Sequence, residues 1–158
     1  MLNTILIPTD GSESANRAVA LGADLAEKYG SRVILLHVLL HGETAIEFGH
    51  LAEVEHLLEA KGTAVAEDEP PPTHLLEKFA EQILAAAERA MRRKGVTEVM
   101  TKTAAGDPAK QILACAEAEG TDLIVTGSRG LGTLKGLLVG SVSQKVNHLA
   151  PCSCLTVR

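Results

Sequence analysis

The sequence predicts an α/β protein built on a single doubly wound, mainly parallel sheet of five strands, with helices on both faces. Short, continuous apolar runs alternate along the chain with segments in which apolar residues recur at helical spacing. Glycine, proline or aspartate separates most of these runs. Alternation of this kind gives parallel strands joined by helical crossovers. The 158 residues suffice for one domain with a substantial core.

The chain opens with a buried strand and a capped helix. Residues 4–8 are continuously apolar, which suits a central strand covered on both faces. The turn that follows leads into a helix that Ser12 or Ser14 caps and that Gly30 ends. A second β-rich run follows at residues 32–40. The predicted start is therefore strand, helix, strand.

Residues 41–73 interrupt the alternation, and we interpret them as an insert in one domain that spans residues 1–158. The first part has a rough helical stripe, whereas residues 67–72 are acidic and proline-rich, as in a linker. A long amphipathic helix is predicted next, at residues 75–94.

The second half of the chain continues the alternation. A polar strand at residues 97–103 suits a sheet edge, and the next helix begins at Pro108 with Asp107 as its cap. A strand at 122–126, a helix at 141–149 and a last strand at 153–157 complete the predicted elements.

Right-handed crossovers leave few arrangements of these strands, and we expect the order 3-2-1-4-5. Strand 1 then lies beside strand 4, at the point where the direction of winding reverses. Ligands of such sheets bind at the carboxyl ends of the strands that flank this point. Residues 8–11 and 126–130 therefore converge, and they include Asp10, Gly127 and Gly130.

These glycines predict a phosphate site. A residue without Cβ lets backbone N–H groups approach an anion and permits positive φ. Gly140 and Ser141 then open a helix, whose first amides lack intrahelical partners and whose dipole is positive at that end. The hydroxyls of Ser141 and Ser143 are further donors for a phosphate. The alternative is that Ser141 caps the helix in a capping box with Gln144, and both interpretations stay open at this point.

Other nucleotide motifs are missing from the sequence. There is no G-x-x-x-x-G-K-[ST] of a P-loop, and strand 1 is not followed by the G-x-G-x-x-G of a dinucleotide site. The net charge of −5 argues against a nucleic-acid partner, and no apolar run is long enough to span a bilayer. We expect a cytoplasmic protein. The three cysteines and six scattered histidines favour packing or surface roles over a metal site.

The spacing Gly127-x-x-Gly130, then nine residues, then Gly140-Ser141 closely resembles the signature of the universal stress protein family. The resemblance extends over nearly the whole chain and is weakest at residues 41–73. It also includes the opening strand and aspartate at residues 5–12, the second strand at 33–38, the start of a helix at 106–109 and the closing strand at 150–158.

The resemblance implies a Rossmann-like, adenine nucleotide α-hydrolase-like fold that binds ATP, with AMP or a cyclic nucleotide as open alternatives. Asp10 would face the ribose or a metal-bound water, since a Mg²⁺ or Mn²⁺ ion bridging the phosphates is expected with ATP. The adenine would lie against the first two strands, and the phosphates against the glycines. The implied nucleotide-binding residues are Pro8, Thr9, Asp10, Val38, Gly127, Arg129, Gly130, Gly140, Ser141, Val142 and Ser143.

The resemblance also implies a homodimer formed through the last strand, residues 153–157, and a regulatory, stress-response role exerted on an unidentified protein partner. Two other functions stay open. One is slow ATP hydrolysis or phosphotransfer, for which Asp10 alone is a candidate base; no catalytic residue is assigned. The other is an interaction module that binds no nucleotide and docks through the acidic insert.

Overall fold

A computed structural model of the chain describes residues 2–39, 72–130 and 140–158. In this part of the chain five strands and four helices alternate. They are β1 (Thr4–Pro8), α1 (Glu13–Tyr29), β2 (Arg32–Leu39), α2 (Thr73–Arg93), β3 (Val99–Ala105), α3 (Pro108–Ala118), β4 (Leu123–Gly127), α4 (Ser141–Leu149) and β5 (Ser153–Val157).

The strands form one sheet in the order β3-β2-β1-β4-β5, and every neighbouring pair is parallel. The predicted order is therefore confirmed. β1 lies at the centre, with Ile5 beside Val33 of β2 on one side and beside Leu123 of β4 on the other. The carboxyl ends of β1 and β4 are thus adjacent, which is the switch point that the alternation of elements predicts.

Two apolar clusters pack on the two faces of the sheet. Ile5 and Ile7 of β1 point into the cluster that α1 and α2 cover, whereas Leu6 points into the one that α3 and α4 cover. These three side chains are fully buried. Because successive side chains of a strand face opposite sides, a strand that is covered on both faces has to be apolar without alternation. This requirement explains the continuous apolar run at the start of the chain.

The helix ends follow the residue chemistry. Ser12 is the N-cap of α1, and its hydroxyl accepts the Ala15 N–H, while Gly30 ends the helix with φ of 66°. Asp107 caps α3 in the same way, with its carboxylate accepting the Lys110 N–H at 2.8 Å. None of the helices in the described ranges is long and apolar enough to cross a membrane.

Several boundaries differ from the prediction by one or two residues, and one of them is that of β4, which covers residues 123–127 rather than 122–126. β3 covers residues 99–105 rather than 97–103, because its register is set by pairing with β2, in which Val33 lies beside Val99. α2 begins at Thr73 rather than at Leu75. The predicted helical stripe and most of the acidic, proline-rich stretch in the insert lie outside the described residues, as does Leu40, the predicted end of β2.

Candidate functional site

The candidate site consists of residues 9–14 after β1, residues 127–130 at the end of β4 and residues 140–143 at the start of α4. The structure brings the three segments into contact. A Cβ on Gly130 would lie 2.7 Å from Oδ2 of Asp10, and the N–H of Gly140 donates to the Ser128 carbonyl at 2.6 Å. The predicted convergence of the aspartate with the glycines is therefore present in the structure.

The turn after β1 fixes the Asp10 carboxylate. Gly11 adopts φ of 83°, which is strained for any residue with a side chain. This backbone lets Oδ1 of Asp10 accept the Ser12 N–H at 2.9 Å, and the Gly11 N–H donates to Oγ1 of Thr9 at 3.3 Å. The half-buried carboxylate therefore has a defined position at the start of α1, with Oδ2 beside Gly130.

Gly127 and Gly130 are needed for space rather than for positive φ. Positive φ occurs in the described residues at Gly11, Gly30, Gly95, Gly106 and Gly120, so neither of these two site glycines uses the positive φ that the missing Cβ permits. A Cβ on the first would lie 2.6 Å from a serine hydroxyl of α1, and a Cβ on the second 2.7 Å from the aspartate. Both glycines let the end of β4 approach the β1–α1 turn, a contact that the strand order requires.

Two serines at the start of α1 hold the end of β4. The hydroxyls of Ser12, at 3.3 Å, and Ser14 both donate to the Arg129 carbonyl, and the Arg129 N–H donates to Oγ of Ser14 at 3.3 Å. The main chain of Arg129 is thus fixed at both of its polar atoms, while its side chain is exposed. Arg129 is one of the residues that the resemblance implies at the nucleotide, but in the structure its N–H is bonded within the protein.

α4 begins one residue earlier than a capping box of Ser141 and Gln144 requires. Its N-cap is Gly140, with an extended backbone at φ −75° and ψ 154°, so Ser141 is the first helical residue and does not cap. The alternative interpretation of Ser141 and Gln144 as a capping box is therefore wrong. The first bond of the helix runs from the Gln144 N–H to the Gly140 carbonyl, so the amides of residues 141–143 precede any intrahelical acceptor.

The three side chains that follow Gly140 have different surroundings. Ser141 is exposed. Val142 is half-buried and packs against the cluster beneath α3 and α4. Ser143 is buried, and its hydroxyl donates to the carbonyls of Ser128, at 3.2 Å, and Gly140, at 2.9 Å. Of the two hydroxyls predicted to face a phosphate, the one on Ser143 instead joins α4 to the end of β4.

β2 extends three residues beyond its pairing with β1. The last register pair is Pro8 with Leu36, whereas β2 continues to Leu39. The Leu36 carbonyl accepts the Thr9 N–H at 2.9 Å, so the peptide groups of Leu36 face β1. Alternate residues of a strand direct their peptide groups to the same edge. The N–H and C=O of Val38 therefore face the space beyond the end of β1, where the family resemblance implies a nucleotide base.

His37, for which the sequence predicts only a packing or surface role, supports this edge of the sheet. Its ring is buried, and Nδ1 lies 2.9 Å from the Thr9 carbonyl. A carbonyl can only accept, so Nδ1 carries the proton. Burial lowers the pKa of His37, while the Thr9 carbonyl and the charge of Asp10 oppose that shift. A lone histidine in an otherwise apolar strand was the available signal, but its partner on another strand was not readable.

The side chains that could hold a metal are scattered in the part of the chain that the structure describes. No group of three histidine, cysteine, aspartate or glutamate side chains able to hold a metal occurs among residues 2–39, 72–130 and 140–158. Asp10 is the carboxylate that the structure places against the glycines. The three cysteines are half-buried beside the cluster under α3 and α4, and burial raises the pKa of each thiol: Cys115, Cys152 and Cys154.

The fold and the site together define a class, the open-sheet α/β proteins with a loop site at the carboxyl ends of β1 and β4. The model of the universal stress protein family matches residues 1–158, and the chain belongs to that family. The chain is 35% identical to a Thermus aquaticus protein, the universal stress protein in QAH/OAS sulfhydrylase 3'region, and the match covers the full length of both chains. It is 32% identical, again with both chains fully covered, to the universal stress protein YxiE of Bacillus subtilis (strain 168).

Solved structures have the same fold. UspA from Lactobacillus plantarum matches with a TM-score of 0.72 at 21% identity, covering 99% of this chain and 98% of that one. A universal stress protein in complex with cAMP matches at 0.65 and 22% identity, with 99% and 97% covered. The one from Archaeoglobus fulgidus in complex with dAMP matches at 0.60 and 20% identity, with 100% and 98% covered. At these identities the likeness concerns the fold.

Proposed function

We propose that this protein binds an adenine nucleotide, ATP in the first place, and acts as a nucleotide-dependent regulator in a stress response. The observation that carries the proposal is the convergence of Asp10 and Gly130 with the N-terminal amides of α4. Unpaired amides at a helix N-terminus favour an anion through both hydrogen bonding and the helix dipole. Asp10 is negatively charged and suits hydroxyl groups of a ribose rather than a phosphate.

The proposed arrangement puts the phosphates against Gly130, Gly140 and the amides of residues 141–143. Ser141 is exposed, so its hydroxyl is available to the same anion. The adenine edge would pair with the peptide N–H and C=O of Val38, which offer one donor and one acceptor side by side. Pro8 and Thr9 would border the base. This assignment combines the resemblance of the motifs with the orientation of the β2 backbone.

The comparisons add support at the level of the fold. Two proteins of this architecture are solved in complex with cAMP and with dAMP. Both ligands contain an adenine, a ribose or deoxyribose and a single phosphate. We therefore include AMP and cAMP beside ATP as ligands to be tested.

A divalent ion fits this proposal only together with phosphate. Mg²⁺ is usually held by one or two carboxylates, substrate phosphates and waters rather than by an all-protein cage. Asp10 would supply the carboxylate, directly or through water, and the phosphates the other charges. With ATP, a bound Mg²⁺ or Mn²⁺ would neutralise phosphate charge at the glycines.

Gly140→Ala gives a sharp test of the site. A Cβ at this position would lie 3.4 Å from the Ser128 carbonyl oxygen, an ordinary contact, so we expect the fold to tolerate it. In the proposed arrangement the added methyl group would obstruct the approach of a phosphate. We expect calorimetry to show at least about tenfold weaker binding of ATP, AMP and cAMP, or about 1.4 kcal/mol. Asn147→Ala, on the exposed face of the same helix, is the matched control. Absence of binding by the wild type, or equal binding by Gly140→Ala, would contradict the proposed site.

We further propose a single cytoplasmic domain that forms a homodimer by edge pairing of β5. In the described residues β5 pairs with β4 alone, and an open edge is a template for a second copy. The Val157 carbonyl accepts the Ser128 N–H, so residues 154 and 156 direct their peptide groups outward. Thr156→Pro removes an outward N–H and leaves the β4 pairing intact. Light scattering should give two chains for the wild type and one for the variant; a monomeric wild type contradicts the proposal.

A further inference from the structure

Ser14 is a buried residue in the first turn of α1 that bonds to a part of the chain far away in sequence. The side chain is 6% exposed, and both of its described hydrogen bonds go to Arg129, one to the carbonyl and one from the N–H. Ser12 also donates to that carbonyl, but its hydroxyl has a second task as the N-cap acceptor of α1. Ser14 thus bonds specifically to the main chain of the β4 loop.

Holding the Arg129 carbonyl fixes the next amide. The carbonyl of Arg129 and the N–H of Gly130 belong to one planar, trans peptide unit, in which they point in opposite directions. The two serine hydroxyls turn the carbonyl toward α1. The N–H of Gly130 is therefore directed away from α1.

We infer that Ser14 is a positioning residue for the phosphate of a bound nucleotide, acting through the orientation of the Arg129–Gly130 peptide. This inference rests on the proposed function, because it concerns the same site. It adds that Ser14 strengthens the binding of ligands that carry a phosphate, whereas the affinity for the nucleoside part of the ligand does not depend on Ser14.

The test compares three ligands on one variant. Ser14→Ala removes the hydroxyl, and the net loss of a hydrogen bond of this kind corresponds to about a three- to tenfold change. We expect the Kd of ATP and of AMP to rise by about that factor and the Kd of adenosine to stay within about twofold of the wild type. A purely structural role for Ser14 would weaken all three ligands together.

Ser31→Ala is the matched control. The hydroxyl of Ser31 is equally buried, at 4% exposed, and donates to the Leu2 carbonyl at 2.6 Å, near the opposite end of the sheet. This variant loses the same type of bond, so it should leave all three Kd values unchanged. If Ser14→Ala does not fold, Ser14→Cys keeps nearly the same volume with a weaker donor and should give the same ligand pattern.

The outcomes separate this inference from the proposed function. Wild-type binding of ATP and AMP together with unchanged or uniformly weakened binding by Ser14→Ala overturns the inference alone. A folded wild type that binds neither nucleotide overturns the proposed function and the inference with it. Loss confined to the two phosphate-bearing ligands supports both.

Discussion

Replacing Gly127 by alanine should destabilise the protein even without a ligand. A Cβ there would lie 2.6 Å from Oγ of Ser14, 2.7 Å from the backbone nitrogen of Ala15 and 2.8 Å from the carbonyl carbon of Ser14. Two of these atoms belong to the backbone of α1, so no side-chain rotation relieves the contact. The start of the helix would have to move away from the end of β4.

The size of the effect follows from the cost of overpacking. Additional methyl groups in a well-packed interior cost about 1–3 kcal/mol. Since the contacts of the new Cβ include backbone atoms, we expect the upper end, about 3 kcal/mol. In a domain of this size 1 kcal/mol corresponds to roughly 2–4 °C in Tm, so Gly127→Ala should lower Tm by about 6–12 °C.

Gly140→Ala is the internal comparison. Its nearest contact would be at 3.4 Å, and φ of −75° with ψ of 154° is open to any residue. We expect its Tm to stay within about 2 °C of the wild type. Thermal unfolding followed by circular dichroism, without nucleotide, measures both variants. Equal Tm values for the two variants, or the reverse order, would refute the argument that Gly127 is required by the approach of α1.

Three further predictions concern packing and pH. Gly22→Ala should lower the free energy of unfolding by about 1–3 kcal/mol in denaturant titrations, because its Cβ would lie 2.3 Å from Cδ1 of Ile7. Adding Ile7→Val removes that Cδ1 methyl group and should restore part of the lost stability; no restoration would argue against the contact. Two backbone amides at the start of β1 donate to the Asp122 carboxylate and lower its pKa. The contribution of Asp122 to stability is therefore full above the ordinary pKa of aspartate, about 4, and is lost as the pH falls through the lower pKa of the folded state. Asp122→Asn should therefore lose less stability than the wild type between about pH 5 and pH 3, and an identical pH profile would argue against this role. Burial lowers the pKa of His37, so its contribution to stability is full above about pH 6.5 and is lost as the pH falls through the lower pKa of the folded state. NMR of the ring nitrogens at about pH 7 should find a neutral ring with the proton on Nδ1, directed at the Thr9 carbonyl. A proton on Nε2 instead would refute this tautomer.

The fold was readable because its signals are local. The apolar residues 5–7 lead into Pro8, and residues 153–157 follow the helix-breaking Pro151; the structure places strands at both positions. β3 was shifted by two residues because an edge strand with mixed polarity carries no clear pattern. Its register comes from β2, which the local sequence does not contain.

The site was readable only in part. Connection rules alone predict that Asp10 and Gly130 converge. The contact of Ser14 with Arg129 joins residues 115 positions apart, and a serine hydroxyl has no periodicity that reveals its partner. The capping box at Ser141 failed for a different reason. An N-cap serine and a serine one position later look alike in sequence, and only the backbone at Gly140 distinguishes them.

The distance along the chain between Ser14 and Arg129 also has a consequence for folding during synthesis. Contacts between distant residues form late, because the chain between them must be ordered first. While the protein is made from its N-terminus, β1 and the first turn of α1 leave the ribosome long before the end of β4. A nascent chain therefore has the aspartate but neither the glycines nor α4. The candidate site is therefore complete only once most of the chain has been made and β4 has docked beside β1.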